Sequence, residues 1–92
     1  MSKIGCRCGN IISDSSDHLP YKAELIPDED VERFMEMSDD IVAAMRLCRE
    51  IFQCERCGRL LVQEPDGPTF RYFVPEVDPR PGILRSSTGP GN

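Results

Sequence analysis

The stretch Phe52-Gln53-Cys54-Glu55-Arg56-Cys57-Gly58-Arg59 decides the fold, because it has a counterpart near the start of the chain, Ile4-Gly5-Cys6-Arg7-Cys8-Gly9. Each holds two closely spaced cysteines followed at once by glycine. Two thiolates converge on one ion about 2.3 Å away only if the backbone between them turns its N–H groups toward the sulfurs, and a glycine after the second cysteine supplies the positive φ of that turn. Gly9 and Gly58 stand at those positions. Cys6, Cys8, Cys54 and Cys57 together close a tetrahedral site and leave no open position for a substrate water, so the expected metal is structural. One zinc ion is expected; four thiolates also suit a rubredoxin-like iron, and spacing alone does not separate the two. A zinc ribbon usually carries C-x2-C at both ends of a modest gap, whereas the first pair here is C-x-C and 45 residues separate Cys8 from Cys54. That interval must contain structure of its own.

The size of the chain makes a staple necessary. It has 92 residues, 39% of them hydrophobic, with two Tyr, four Phe and no Trp, which leaves room for one small domain and excludes a two-lobed enzyme. Ordering a chain costs on the order of 1.5 kcal/mol per residue, and so thin a core offsets that only marginally. Disulfides are not the expected staple: the five cysteines are odd in number, and Met1-Ser2-Lys3-Ile4-Gly5 lacks the apolar stretch of a secretory signal, so a cytoplasmic location is expected. A thioredoxin-like redox pair at Cys54 and Cys57 would lead into a helix, whereas Leu60-Leu61-Val62 is short and strand-like. Cys48 falls in the series Ile41, Met45, Cys48, Phe52, one face of a helix, and reads as a small buried hydrophobe. His18, the only histidine, lies in the polar turn-rich stretch Asp14-Ser15-Ser16-Asp17-His18-Leu19-Pro20 and reads as a solvated loop residue. With neither a nucleophile signature nor an open metal position, no catalytic residue is assigned and no enzymatic activity is expected.

The expected fold class is α+β: a small zinc-ribbon-like antiparallel sheet with an inserted helix on one face. Residues 3 to 13 read as a strand or hairpin carrying the first knuckle, and Tyr21, Ala23 and Leu25 alternate with Lys22 and Glu24 as in a short edge strand. Pro27 and Asp28 start a helix predicted over 28 to 50, with a break at Ser38-Asp39-Asp40, where Ser38 could cap a second segment. Leu60 to Gln63 and Thr69 to Val74 read as a hairpin joined through Glu64-Pro65-Asp66-Gly67-Pro68. The domain is expected to span 1–74. Residues 75–92 hold four of the eight prolines and three of the seven glycines and read as a disordered tail.

Charge is unevenly distributed about a formal total of −5. Glu24, Asp28, Glu29, Asp30, Glu32, Glu36, Asp39 and Asp40 face one basic residue in their stretch, Arg33. Four thiolates with one divalent zinc would add a further charge of about −2. Such a chain is repelled overall by phosphate backbones, so a protein partner is expected in preference to nucleic acid, and no membrane partner is expected. The candidate contact residues are Asp28, Glu29, Glu32, Glu36, Asp39 and Asp40, an acidic surface suited to steering a basic protein. The alternative is a nucleic-acid-associated ribbon using a basic and aromatic patch of Arg46, Arg49, Arg56, Arg59, Arg71 and Tyr72 around the second knuckle.

Through Cys6-Arg7-Cys8-Gly9 and Cys54-Glu55-Arg56-Cys57-Gly58 the metal core resembles small bacterial zinc-ribbon-type accessory proteins. In size and acidity the chain is similar, at the level of a class, to immunity proteins that neutralise polymorphic toxins. That resemblance implies an inhibitor whose acidic side chains occupy a basic cleft of a toxin or effector, acting by occlusion without catalysis.

Overall fold

A computed structural model describes residues 2–14, 19–80 and 82–85; His18 and residues 86–92 of the expected tail lie outside the described residues. Strand β1 (Ser2–Gly5) pairs antiparallel with β2 (Ile11–Asp14). Strands β3 (Lys22–Leu25), β4 (Arg49–Gln53), β5 (Leu60–Gln63) and β6 (Phe70–Phe73) form an antiparallel sheet in sequence order. Between β3 and β4 lie a 3-10 turn (Asp28–Asp30) and two short helices, α1 (Val31–Glu36) and α2 (Ile41–Met45). The α+β class, both hairpins and the edge position of β3 agree with the sequence reading.

The core is one thin cluster. Cys6, Ile12, Phe52, Cys54 and Leu61 are buried in it, with Ile4, Cys8, Tyr21, Cys57, Phe70 and Tyr72 packed around them. Lys22, Phe52, Leu61 and Tyr72 lie opposite one another in adjacent strands, so one cross-strand row runs through the centre of the sheet. Phe52 meets the Phe70 ring edge-on at 5.7 Å, an arrangement that aligns the positive rim of one ring with the negative face of the other. The small hairpin is tied to the sheet by polar contacts: Tyr21 donates to the Ser13 carbonyl, Tyr72 to the Gly5 carbonyl at 2.9 Å, and Lys22 pairs with Asp14 at 3.0 Å.

The helix expected over 28 to 50 is corrected. It stops at Glu36, resumes at Ile41 and ends at Met45, and Arg49–Gln53 is the second strand of the sheet. Asp40, rather than Ser38, caps the second segment, its Oδ1 accepting from the Ala43 N–H at 3.2 Å. After α2 the Arg46, Leu47 and Cys48 amides donate three residues back, tightening the last turn and ending the helix. Cys48 therefore lies in the link into β4 and does not share a helical face with Phe52. Of the two helices only Ala44 is buried; Val31 and Phe34 are half-buried, while Met35, Ile41, Val42 and Met45 are exposed, so much of the apolar stripe expected to cover the sheet is left uncovered among the described residues.

The first part of the expected tail makes contacts that composition did not suggest. The buried Gln53 side chain donates from Nε2 to the Arg80 carbonyl at 2.9 Å and accepts at Oε1 from the Gly82 and Ile83 N–H groups at 3.0 and 3.3 Å. A side-chain amide thus does for this segment what a strand partner's backbone would do.

Candidate metal centre

Each cysteine pair occupies the turn of a β-hairpin. The first knuckle joins β1 to β2, where Gly5 pairs with Ile11, and the second joins β4 to β5, where Gln53 pairs with Leu60. Their backbones close in the same way. The N–H of each first cysteine donates to the residue after the glycine, Cys6 to Asn10 at 2.8 Å and Cys54 to Arg59 at 2.9 Å. Each glycine N–H returns to the first cysteine's carbonyl, Gly9 to Cys6 at 3.0 Å and Gly58 to Cys54 at 2.8 Å. The C-x-C knuckle is the C-x2-C knuckle with one residue removed from the loop, and both glycines take positive φ, 97° and 82°.

This closure brings the four Sγ atoms of Cys6, Cys8, Cys54 and Cys57 within 4.8 Å of one another. The pairs Cys6–Cys57 and Cys8–Cys54 are each 3.5 Å apart, and both of these contacts join one knuckle to the other. Four sulfurs at the corners of a tetrahedron about 2.3 Å from one ion would be separated by about 3.8 Å, whereas a disulfide requires about 2.05 Å. The donor set and its spacing fit a single four-coordinate metal ion.

The thiols divide electrostatically. Burial pushes the Cys54 thiol up, but the Cys57 and Arg56 N–H groups, the Asn10 amide and the Cys8 thiol outweigh it and bring it down to about 6. Burial also raises Cys57, where the Arg59 backbone N–H and guanidinium and the Cys6 thiol reverse the sign. Cys6 moves the other way, to about 11, because burial dominates; the Cys8 N–H opposes this, while the neighbouring thiols add to it. Negative charge is thus well supported on the second knuckle and poorly supported on Cys6. A cation at the centre is what would let all four ionise together.

Two side chains around the sulfurs extend the sequence reading. Asn10 Nδ2 donates to Cys54 Sγ at 3.5 Å, a role that nothing in the sequence marked. Arg59 Nη1 donates to Cys57 Sγ at 3.3 Å, so this arginine, a candidate for contacting phosphate, serves the thiolates. Arg71 is held by Glu64 at 2.8 Å, and Arg49 donates to the Gln63 carbonyl at 3.0 Å. Arg59, Arg71 and Tyr72 do share a cleft with Phe70 and with Arg7, which stacks over the Tyr72 ring at 5.0 Å. Arg56 lines a different cleft beside β2.

The six acidic candidates are all exposed: Asp28 and Glu29 on the 3-10 turn, Glu32 and Glu36 on α1, and Asp39 and Asp40 in the link between the two helices. None of the six has an ion-pair partner among the described residues; the one pair in this segment is Arg33 with Asp30 at 3.8 Å. Among the described residues no helix is long and apolar enough to cross a membrane.

Fold and site together define a small α+β protein with two antiparallel sheets and a four-cysteine cluster of metal-binding geometry. The chain belongs to the family described as a domain of unknown function, DUF8617, which it matches over residues 2–77, from β1 through both knuckles to just beyond β6. No curated protein and no solved structure matches the chain.

Proposed function

We propose that this chain is a non-catalytic protein-binding module, stapled by one zinc ion at Cys6, Cys8, Cys54 and Cys57, that captures a basic partner protein on its acidic helical segment. The observation that carries the reading is the exposure of six carboxylates on one short stretch, without ion pairs among the described residues. Natural surfaces usually intersperse both signs of charge, and a single-sign field steers an oppositely charged partner and speeds its capture. All four ligands come from the protein, which suits zinc as a structural element. In its most specific form the module is a cytoplasmic, immunity-type inhibitor that occludes the basic cleft of a toxin or effector.

The metal half is tested by elemental analysis of purified protein. About one zinc per chain is expected; iron in its place overturns the metal's identity, and well under one metal per chain with free titratable thiols overturns the site. For the partner half, the chain is co-expressed with the product of the adjacent gene, where an immunity protein's target is expected. A Glu32→Lys/Glu36→Lys variant should retain its zinc and bind at least about tenfold more weakly. Equal binding by that variant, or no complex with the wild-type chain, overturns the acidic-surface reading.

A further inference from the structure

We infer that α1 and α2 present an apolar face, formed by Met35, Ile41, Val42 and Met45, that takes a basic amphipathic helix of the partner protein. This rests on the acidic-surface reading above and names what the partner brings to it.

The relative exposures of these residues are 68% for Met35, 59% for Ile41, 67% for Val42 and 38% for Met45. Scattered exposed apolar residues need no explanation, but these four fall on two short helices that touch each other. Helices of six and five residues have little stability of their own and ordinarily persist by burying an apolar face. Here only Ala44 is buried, and the described core lies elsewhere, around the cysteines and Phe52. Among the described residues nothing covers Met35, Ile41, Val42 and Met45, while Val31 and Phe34 are half-buried. Methionines at two of the four positions suit a helix laid into a groove, since an unbranched thioether side chain adapts to the shape it meets.

Charge selects the occupant. Glu32, Glu36, Asp39 and Asp40 are exposed on the same segment and lack ion pairs among the described residues. A second copy of this chain docking through the same face would set these carboxylates against their own counterparts, a like-charge contact in a two-fold interface. An anionic lipid surface is repelled for the same reason. A helix with an apolar stripe bordered by Lys and Arg satisfies both parts of the surface.

The test uses the full, zinc-loaded chain and two labelled peptides of Leu and Lys with identical composition, each about five turns long if helical. One places its leucines in a helical stripe; the other scatters them. The striped peptide should bind at least about tenfold more tightly and with a negative heat-capacity change. An Ile41→Ser/Val42→Ser variant should keep its zinc and lose that preference. Equal binding of both peptides, abolished by salt, overturns the apolar face while leaving acidic capture standing. Binding of neither peptide at low salt overturns both. Concentration-dependent dimerisation that the Ser variant abolishes, without peptide binding, makes a second copy the occupant and overturns the basic helix.

Discussion

At Gly58 two constraints meet that Gly9 does not share. Both glycines hold the positive φ that lets a knuckle close, but a Cβ on Gly9 would enter open space, whereas one on Gly58 would lie 2.7 Å from Cβ of Pro79. The left-handed conformation costs an L-residue about 1 to 2 kcal/mol, so Gly9→Ala should lose about that much in denaturant unfolding of the zinc-loaded protein. Gly58→Ala should lose clearly more, and equal losses would mean that Pro79 yields freely. A second residue-scale prediction concerns Glu24, whose carboxyl is raised above its usual range: burial pushes it up, Lys22 pulls it back, and Glu50 and Asp14 push it further. A carboxyl with a raised pKa in the folded state costs stability once it is ionised, above both its folded and unfolded values. Glu24→Gln should therefore stabilise the fold at pH 7, with the gain fading as pH falls through the raised folded value toward the ordinary carboxylate range and absent below it. A gain that persists in acid would point to packing instead. The knuckle residues were legible from sequence because a metal site needs its ligands at fixed local spacings and its glycine beside them. Asn10 and the second duty of Arg59 were not, because a donor to a sulfur needs only a reachable N–H, and many residues could supply one.

Among the elements, β4 shows where local pattern fails. Ile41, Met45, Cys48 and Phe52 satisfy helical spacing, but the adjacent pair Ile51-Phe52 equally suits a strand, and only the pairing partners on either side decide between them. Ala23 lies opposite Ile51 on one side and Leu61 opposite Phe52 on the other, and that central position between β3 and β5 outweighs the continuation of α2. The β5–β6 hairpin was readable because its turn residues and its strands are neighbours in sequence. The Gln53 clip was not, since its partners lie 27 to 30 residues away in a proline-rich segment that reads as unstructured. Because Gln53 is 2% exposed and each side-chain bond contributes on the order of 1 kcal/mol, Gln53→Leu should release Arg80, Gly82 and Ile83, which lose their three hydrogen bonds to it, while β4 stays paired. Hydrogen exchange should show the Gly82 and Ile83 amides losing protection while the Phe52 amide keeps it. Loss of protection throughout the sheet would mean that Gln53 is needed for the fold itself.

Across the whole molecule, the hydrophobic core and the metal site are one object. Cys6 and Cys54 are two of the five buried core residues, and Cys8 and Cys57 pack against the same cluster, so the ligands are also much of the core's volume. The two knuckles come from hairpins in separate sheets, and besides the sulfur cluster the first hairpin is joined to the larger sheet by Ile4 and Ile12 in that core and by polar contacts such as Gly5 with Tyr72 of β6 and Asp14 with Lys22 of β3. A structural zinc contributes on the order of 10 kcal/mol in small domains, while the total stability of such domains is about 5 to 15 kcal/mol. Without the ion, the four sulfurs lose the one centre that ties both knuckles together and keep only the Cys6–Cys57 and Cys8–Cys54 contacts between them. Chelation at pH 7 should therefore unfold the whole chain rather than loosen one turn, with circular dichroism and the released zinc following a single transition. Cys54→Ala should behave like the chelated protein. Cys48→Ala, which removes a half-buried thiol from the link between α2 and β4, should keep full zinc content and a cooperative transition. A chelated protein that retains protected amides in β4 and β5 would show that the sheet stands by itself and that the metal merely fastens the small hairpin to it.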